Sequence, residues 1–343
     1  MKAMILAAGG GTRLQPLTFT LPKPLVPVLN RPVMEHILKH LIKCGIDEFI
    51  VNLNYMPDTI TDYFGNGDKW NTKITYSLEE TPMGTAGGVK KAGEFLKSDT
   101  FLVIGGDDLT DIDITEVVKF HREKGAIATI ALYPVENPSL FGIVKTDEHG
   151  RIQMFQEKPD LDKAVSNLAN TGIYIFEPEI LDLIPDGEIY DFGCQLFPRL
   201  QEEGYPFFGC LVEGYWRDIG NLEDYRISQF DALEGKVNVD KPGNEMITGV
   251  WIGNDSYIHP DSIINPPVLI GNNCLVEPDT TIGDNVVLGN NCIIEKNSSI
   301  KKSLVWNGVI IKENNIVIDS IVGDSCVLDG GGNYCSEVLC REE

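Results

Sequence analysis

Close to the amino terminus stand three consecutive glycines, Gly9, Gly10 and Gly11, followed by Thr12 and Arg13, with Lys23 further on between two prolines. Backbone without side chains lets a ligand approach the main chain closely, and its N–H groups can bind phosphate oxygens. Arg13 and Lys23 add two cations to that neighbourhood, which is the chemistry of a clamp for a polyphosphate. On glycine content alone, a tight strand-to-helix turn would account for the run equally well. The prolines shift the balance: "PLTFTLPKPLVPV" cannot be a regular helix and reads as a stiff, extended loop that presents Lys23. Dinucleotide-binding spacing fails, because Leu14 takes the place of the third glycine, and the Gly-Lys-Ser/Thr of a P-loop is missing. Asp107 in "IGGDDL" and Asp218 in "WRDIG" each follow an apolar or aromatic run, so each is expected at a strand end.

The elements that position these residues alternate. "KAMILAA", "EFIVNL", "KITYSLEE" and "TFLVIGGDD" read as strands, and the stretches between them carry helical periodicity. In "PVMEHILKHLIKCG", Met34, Ile37, Leu38, Leu41 and Ile42 share a face and Gly45 is the stop. This order predicts an α/β fold: a Rossmann-like, mostly parallel sheet with helices on both faces, whose ligands bind beyond the carboxyl ends of the strands. The glycine turn, Glu79–Glu80 and Gly105–Asp108 all fall at such ends, which predicts one shared crevice.

From Ile252 the rhythm changes. Ile252, Ile258, Ile264, Ile270, Val276, Ile282, Leu288, Ile294 and Ile300 recur every six residues, with small residues such as Ser256, Cys274 and Cys292 four positions on. A six-residue period predicts a left-handed parallel β-helix in which the branched residues stack inward. The phase slips after Ile300 and is expected to resume at Leu304, Ile310, Ile316, Val322 and Leu328 across a loop or corner insertion. The expected organisation is therefore a catalytic domain over 1–235, a linker over 236–250, a β-helix over 251–329 and a closing tail over 330–343.

The chain has 343 residues, with 28 Lys and Arg against 51 Asp and Glu, a formal charge of −23. That balance argues against nucleic acid as a partner, since a phosphate backbone requires a basic surface. Any anionic substrate must instead meet a few placed cations or a metal. No apolar run approaches membrane-span length, and the first apolar stretch is too short for a secretory signal, so neither a membrane partner nor export is expected. Eight scattered cysteines without metal-ligand spacing read as thiols in a reducing cytoplasm.

The combination of A-G-x-G-T-R-L (Ala8 to Leu14) and P-K-P-L (Pro22 to Leu25) resembles the signature of the sugar-nucleotide pyrophosphorylases, which are nucleotidyltransferases acting on sugar 1-phosphates. "GTAGG" (84–88), "FGIV" (141–144), "EKP" (157–159), "NTGIYIF" (170–176) and "WRDIG" (216–220) extend the likeness over nearly the whole chain, since members of that family also carry a β-helix after a GT-A-like catalytic domain. The subgroup most similar is that of the guanylyltransferases acting on mannose 1-phosphate. The resemblance implies an NTP, with GTP first, and a sugar 1-phosphate, with mannose 1-phosphate first, as substrates. It makes Asp107 and Asp218 the Mg²⁺ ligands and Arg13 and Lys23 the catalytic cations on the triphosphate. Gly11 and Thr12 belong to the phosphate turn. Lys158 would bind the sugar phosphate and Glu157 the sugar hydroxyls, with Gly142, Asn170 and Gly172 lining the ring. Ala8 and Gly9 would meet one edge of the base and Gly84 and Thr85 the other. Glu79 or Glu80, ending a strand beside that loop, could accept from the adjacent donors of guanine. The chain departs from the family in having Gly105 where Asn is usual, and in a second carboxylate, Asp108, that competes as metal ligand.

Three alternatives stay open. The same phosphate machinery serves thymidylyl-, uridylyl- and adenylyltransferases. A β-helix of hexapeptides also builds acyltransferases, for which only His259 offers a histidine inside the repeats. A non-catalytic regulatory relative could dispense with the charged residues, yet all five of Arg13, Lys23, Asp107, Lys158 and Asp218 are present. The faces and ends of the β-helix are expected to join copies of the chain into a homo-oligomer.

Overall fold

The computed structural model describes residues 1–341. The last two positions of the expected tail, 342 and 343, lie outside the described residues. The chain forms two compact units, which the sequence boundary at 235 does not separate. The first holds Met1–Gly11, Leu21–Leu25 and Val33–Asp218; the second holds Thr12–Thr20, Val26–Pro32 and everything from Ile219 onward.

In the first unit, strand Lys2–Leu6 lies between Glu48–Leu53 and Phe101–Gly105, with Lys73–Leu78 beyond Glu48–Leu53, all parallel. Their interiors are apolar runs with no exposed face: Ala3, Met4 and Ile5, Phe49 to Leu53, and Phe101 to Ile104 are buried. That is the pattern of a sheet covered by helices on both sides. The nine-stranded sheet is nevertheless mixed. Strand Leu168–Phe176 runs antiparallel to Phe101–Gly105, Ala128–Pro134 and Gly142–Thr146, and Gly142–Thr146 pairs antiparallel with Ile152–Glu157. Parallel order is therefore confined to the half that the helical crossovers build and to one further pair, Ala128–Pro134 with Phe207–Leu211. Helix Val33–Lys43 buries Met34, Ile37, Leu38 and Leu41 as its spacing predicts, leaves Ile42 half-buried, and ends where Gly45 turns at φ +83°.

Two local expectations change. The segment around Lys23 is not extended: it winds through short 3-10 turns at Thr12–Leu14, Leu17–Phe19 and Lys23–Leu25. Proline forbids a continuing helix but tolerates single turns, here closed by bonds such as Leu25 N–H to the Pro22 carbonyl at 2.8 Å. The helix expected over "TAGGVKKAGEFL" divides into Gly84–Lys91 and Gly93–Leu96.

The second unit is a β-helix of three parallel sheets. Ile252, Ile270 and Leu288 stack in register, as do Ile258, Val276 and Ile294, at a coil length of 18 residues. The slip after Ile300 is a shortened corner, not an insertion. From there successive coils are 17 residues long, and the inward positions become Val305, Ile311, Val317, Val322 and Leu328. The expected phase of Leu304, Ile310 and Ile316 is therefore one residue early. Val317 is fully buried whereas Ile316 is 42% exposed. Aliphatic residues occupy both positions in each of those strands, so periodicity alone could not choose between them. Corners take left-handed backbone at Asn273, Asn291, Asn297 and Asn314, a conformation that asparagine tolerates well. The coil also continues past 329: Asn333–Cys335 and Val338–Leu339 pair in parallel with the preceding rungs. Within the expected linker, Asn244–Ile247 forms an antiparallel strand on Val250–Ile252.

Helix Leu222–Glu234, expected in the catalytic domain, groups with the β-helix because its side chains bond to it. Arg226 pairs with Asp319 at 2.8 Å, Glu234 accepts from Asn285 at 2.9 Å, and the Tyr225 hydroxyl accepts from the Trp306 indole at 2.9 Å. The same hydroxyl donates to the Pro27 carbonyl at 2.8 Å, which ties segment Val26–Pro32 to this unit. Among the described residues no helix is long and apolar enough to cross a membrane.

The register makes a testable distinction. Val317→Asp should cost about 4 kcal/mol, the range for an unpaired charge forced into a core, whereas Ile316→Asp should change stability by roughly 0.5 kcal/mol or less. Thermal unfolding of the two variants checks this, and equal losses would refute the register.

Candidate active site

The parallel strands deliver their carboxyl ends to one place. Leu6 ends the first strand and Ala7 to Gly9 follow it, Asn52 lies near the end of the second, Glu79 follows the third and Gly105 ends the fourth; all line a single cavity of about 500 Å³. Lys23, Gly84, Thr85, Asp107, Lys158, Asn170, Gly172 and Asp218 complete the expected residues that meet there. Ala8 and Gly9 are thus on the wall. A Cβ added at Gly9 or Gly10 would meet no atom within 4 Å, and neither has positive φ. Only Gly11, at φ +61°, is a glycine the turn itself requires. Gly11, Thr12, Arg13, Gly142 and Glu157 are not among the described residues that line the cavity. Thr12 and Arg13 are exposed in their 3-10 turn.

The carboxylates converge through a short ladder. Strand Trp216–Asp218 pairs antiparallel with Asp108–Thr110 so that Asp218 lies opposite Asp108. Oxygens of Asp107, Asp108 and Asp218 all fall within 4.8 Å of one another. Such a set of hard oxygen donors suits a divalent cation of the magnesium or calcium type. The Lys23 ammonium bonds to Asp107 and stands 3.2 Å from Asp218. Burial works to lower the Lys23 pKa, but the attraction of Asp107 and Asp218 overcomes it and holds the ammonium above its ordinary range. Asp108 is buried, and burial together with its two carboxylate neighbours pushes its carboxyl well above the usual value.

Missing side chains make the room for Asp108. A Cβ at Gly105 would lie 2.4 Å from an Asp108 oxygen, and one at Gly172, where φ is +77°, would lie 2.9 Å from it. The departure noted in "GGDD" is therefore a paired feature: glycine stands at 105 where the additional carboxylate needs the space.

On the side of the expected base slot, Glu79 is buried and accepts from the Met83 N–H at 2.9 Å, while Glu80 is exposed. Gly84 turns at φ +74°, and the segment is braced from outside by Tyr190, whose N–H donates to the Met83 carbonyl at 2.9 Å. The Thr85 hydroxyl is committed within the protein, donating to Asp191 at 2.8 Å and accepting from the Phe192 N–H at 2.9 Å. Across the cavity, Asn170 accepts from the Gly172 N–H at 3.0 Å and donates to the Tyr174 hydroxyl at 2.9 Å. Lys158 is exposed, 3.9 Å from Glu157, with left-handed backbone at φ +44°. Glu157 packs over Gly142 and Gly193, and burial raises its carboxyl above the usual range. Sequence reasoning missed Asn52, Tyr174 and Asp191 in the wall. Only Asn52 carried a signal, an amide inside the otherwise apolar end of "EFIVNL".

Comparison with known proteins bears on these features. The nucleotidyl transferase family matches residues 2–234, and the family described as GMPPB C-terminal domain matches residues 264–335. A UTP–glucose-1-phosphate uridylyltransferase of Synechocystis is 45% identical over 283 residues, 78% of this chain and 73% of that protein. A mannose-1-phosphate guanylyltransferase of Mycobacterium tuberculosis is 36% identical over 68% of this chain and 65% of that one. A mannose-1-phosphate guanylyltransferase catalytic subunit beta of Xenopus tropicalis is 39% identical over 66% and 62%. Among solved structures, a putative glucose-1-phosphate thymidylyltransferase of Bacillus anthracis superposes with a TM-score of 0.62 at 26% identity, covering 70% of this chain and 98% of that one.

The pairing of Gly105 with Asp108 predicts non-additivity. Gly105→Asn should destabilise by roughly 1–3 kcal/mol through overpacking, and Asp108→Ala in the same chain should recover most of that loss. Denaturant unfolding of the single and double variants measures the coupling; strictly additive losses would contradict it.

Proposed function

The chain belongs to the nucleotidyl transferase family, and we propose that it transfers a nucleotidyl group from an NTP to a sugar 1-phosphate, releasing pyrophosphate. The observation that carries this reading is the Lys23 ammonium set among Asp107, Asp108 and Asp218 at the mouth of four strand ends. An oxygen of the sugar phosphate attacks the α-phosphorus as the bond to the β-phosphate oxygen breaks. The nucleophile is already ionised, so no general base is needed and catalysis reduces to positioning and charge neutralisation. Lys23, with Arg13 as second cation, is assigned to the triphosphate, and Lys158 to the sugar phosphate. Gly11 and Thr12 keep their assignment to the phosphate turn, and Glu157, Gly142, Asn170 and Gly172 to the sugar. A magnesium ion held by Asp107 and Asp218, with Asp108 beside them, would supply further neutralisation of phosphate charge.

GTP and mannose 1-phosphate are the proposed pair. The Mycobacterium and Xenopus relatives, the match of the C-terminal region and the placement of Glu79 on the wall support it. The Synechocystis relative favours a second reading, with UTP and glucose 1-phosphate. The cytoplasmic location expected from the cysteines stays part of the proposal.

The expected self-association is assigned to one face of the β-helix. Tyr257, Leu275, Ile293, Ile310 and Val327 stand in register as an outward apolar row, with Tyr257 and Val327 more than half exposed. The equivalent outward row of a neighbouring sheet, Leu269, Val287, Leu304 and Ile321, is buried. Beside the exposed row run His259, Glu277, Glu295, Lys312 and Asp329. Along that flank Lys312 is already paired with Asp329 at 2.6 Å, so the exposed apolar row, not the charges, is what a second copy would cover. Tyr257→Lys with Val327→Lys should lower the molar mass measured by light scattering, and an unchanged mass would exclude this face.

The chemical proposal is tested by pyrophosphate release from a matrix of NTPs and sugar 1-phosphates with Mg²⁺. GTP with mannose 1-phosphate should give the highest turnover, and Lys23→Ala should lower it by about 10²–10³. A maximum at UTP with glucose 1-phosphate would select the second reading, and no pyrophosphate from any pair would overturn both.

A further inference from the structure

Glu79 does not stand alone on the cavity wall. One carboxylate oxygen accepts from the Asn52 side-chain amide at 2.7 Å, and the other accepts from the Met83 N–H at 2.9 Å. The Asn52 carbonyl oxygen in turn accepts from the Ala7 N–H at 2.8 Å. Asn54 donates to the Glu79 main-chain carbonyl at 2.8 Å, which holds the backbone while Asn52 holds the side chain. Asn52 is 3% exposed and Glu79 2%. The bonds form one chain, Ala7–Asn52–Glu79–Met83, running from the end of the first strand to the turn before Gly84.

The chemistry of this chain is directional. The Ala7 N–H can only donate and the Glu79 oxygens serve here as acceptors, so the bridging side chain must accept at one atom and donate at another. An asparagine amide does both, whereas aspartate lacks the donor unless protonated and leucine of like size lacks both groups. Gly88 guards the same junction from the helix Gly84–Lys91. A Cβ there would lie 2.6 Å from the Glu79 oxygen bonded to Asn52 and 3.0 Å from the Asn52 amide nitrogen. Two of the roughly four acceptor positions of a carboxylate are used by the brace, which fixes the direction of the rest.

We propose that Asn52 and Gly88 are positioning residues for nucleotide selectivity: they hold Glu79 so that the walls on either side of the base keep one spacing and one acceptor direction. The inference rests on the reading above that the base lies between Ala8 and Gly84. Discrimination between bases follows from it, because a donor or acceptor displaced by a few tenths of an ångström no longer favours one Watson–Crick edge over another. The sugar phosphate side, with Lys158 and Asn170, belongs to other strands and is unaffected.

The test is the ratio of kcat/KM for the preferred NTP over the next best, measured in wild type, Asn52→Leu and Gly88→Ala. The preferred NTP is whichever the wild type selects, so the outcome does not depend on guanine. Both variants should lower the ratio at least tenfold while the KM for the sugar 1-phosphate stays within twofold. Gly88→Ala reaches the junction without removing a hydrogen-bonding group, so it decides the matter should Asn52→Leu fail to fold. A uniform fall for every NTP, or an equal shift in the sugar 1-phosphate KM, would overturn the inference while leaving the transferase reading intact. A wild type that ranks all NTPs equally would overturn it too, and a wild type that releases no pyrophosphate would instead defeat the reading on which it rests.

Discussion

Three carboxylates crowded within 4.8 Å, with a single ammonium among them, are the constraint around which the catalytic unit is arranged. Burial and the repulsion of like charges at this separation hold the Asp108 carboxyl well above its usual range, and the charge that remains is offset by opposite charge. Lys23 supplies one unit of it. The surrounding backbone is shaped to permit the rest: a ladder between Asp108–Thr110 and Trp216–Asp218 brings together residues far apart in the chain, and Gly105 and Gly172 vacate the volume that Asp108 fills. An acidic chain can in this way serve two anionic reactants, because three of its carboxylates converge at one point and draw cations to it.

Much of the site was legible because strand ends can be read from apolar runs. Glu79, Gly105 and Asp107 lie just where those runs stop, and the parallel order of the first strands sends every such end to the same side. What the sequence concealed is equally physical. Arg13 stands only two residues after Gly11, yet it lies in a 3-10 turn that groups with the second unit and is not on the described cavity wall. Neighbourhood along the chain does not imply membership of one wall when proline-rich turns intervene. Thr85, expected to meet a ligand, spends its hydroxyl on Asp191 and Phe192, a partnership across more than a hundred residues that no local pattern announces.

The β-helix shows the same division between period and register. A six-residue rhythm is unmistakable where one aliphatic residue occupies each side of the coil. After Ile300 adjacent aliphatics such as Leu304–Val305 and Ile316–Val317 offer two phases, and only the strand pairing decides that each coil has lost one corner residue. Near the expected boundary at 235, contacts rather than rhythm draw the chain from Ile219 onward into the second unit. Helix Leu222–Glu234 continues the rhythm of the catalytic unit, but Tyr225, Arg226 and Glu234 bond to Trp306, Asp319 and Asn285. Periodicity identifies an element, while its partners determine which unit it joins.

The carboxylate cluster as the seat of a divalent ion in a nucleotide complex is the claim most open to direct measurement. Electron paramagnetic resonance of Mn²⁺ titrated into the protein with GTP, or with the NTP it selects, reports bound ion independently of turnover. Wild type should retain Mn²⁺ in the ternary complex, and Asp107→Asn with Asp218→Asn should release it while the fold persists by circular dichroism. Undiminished Mn²⁺ binding in that double variant would place the ion elsewhere and contradict the account.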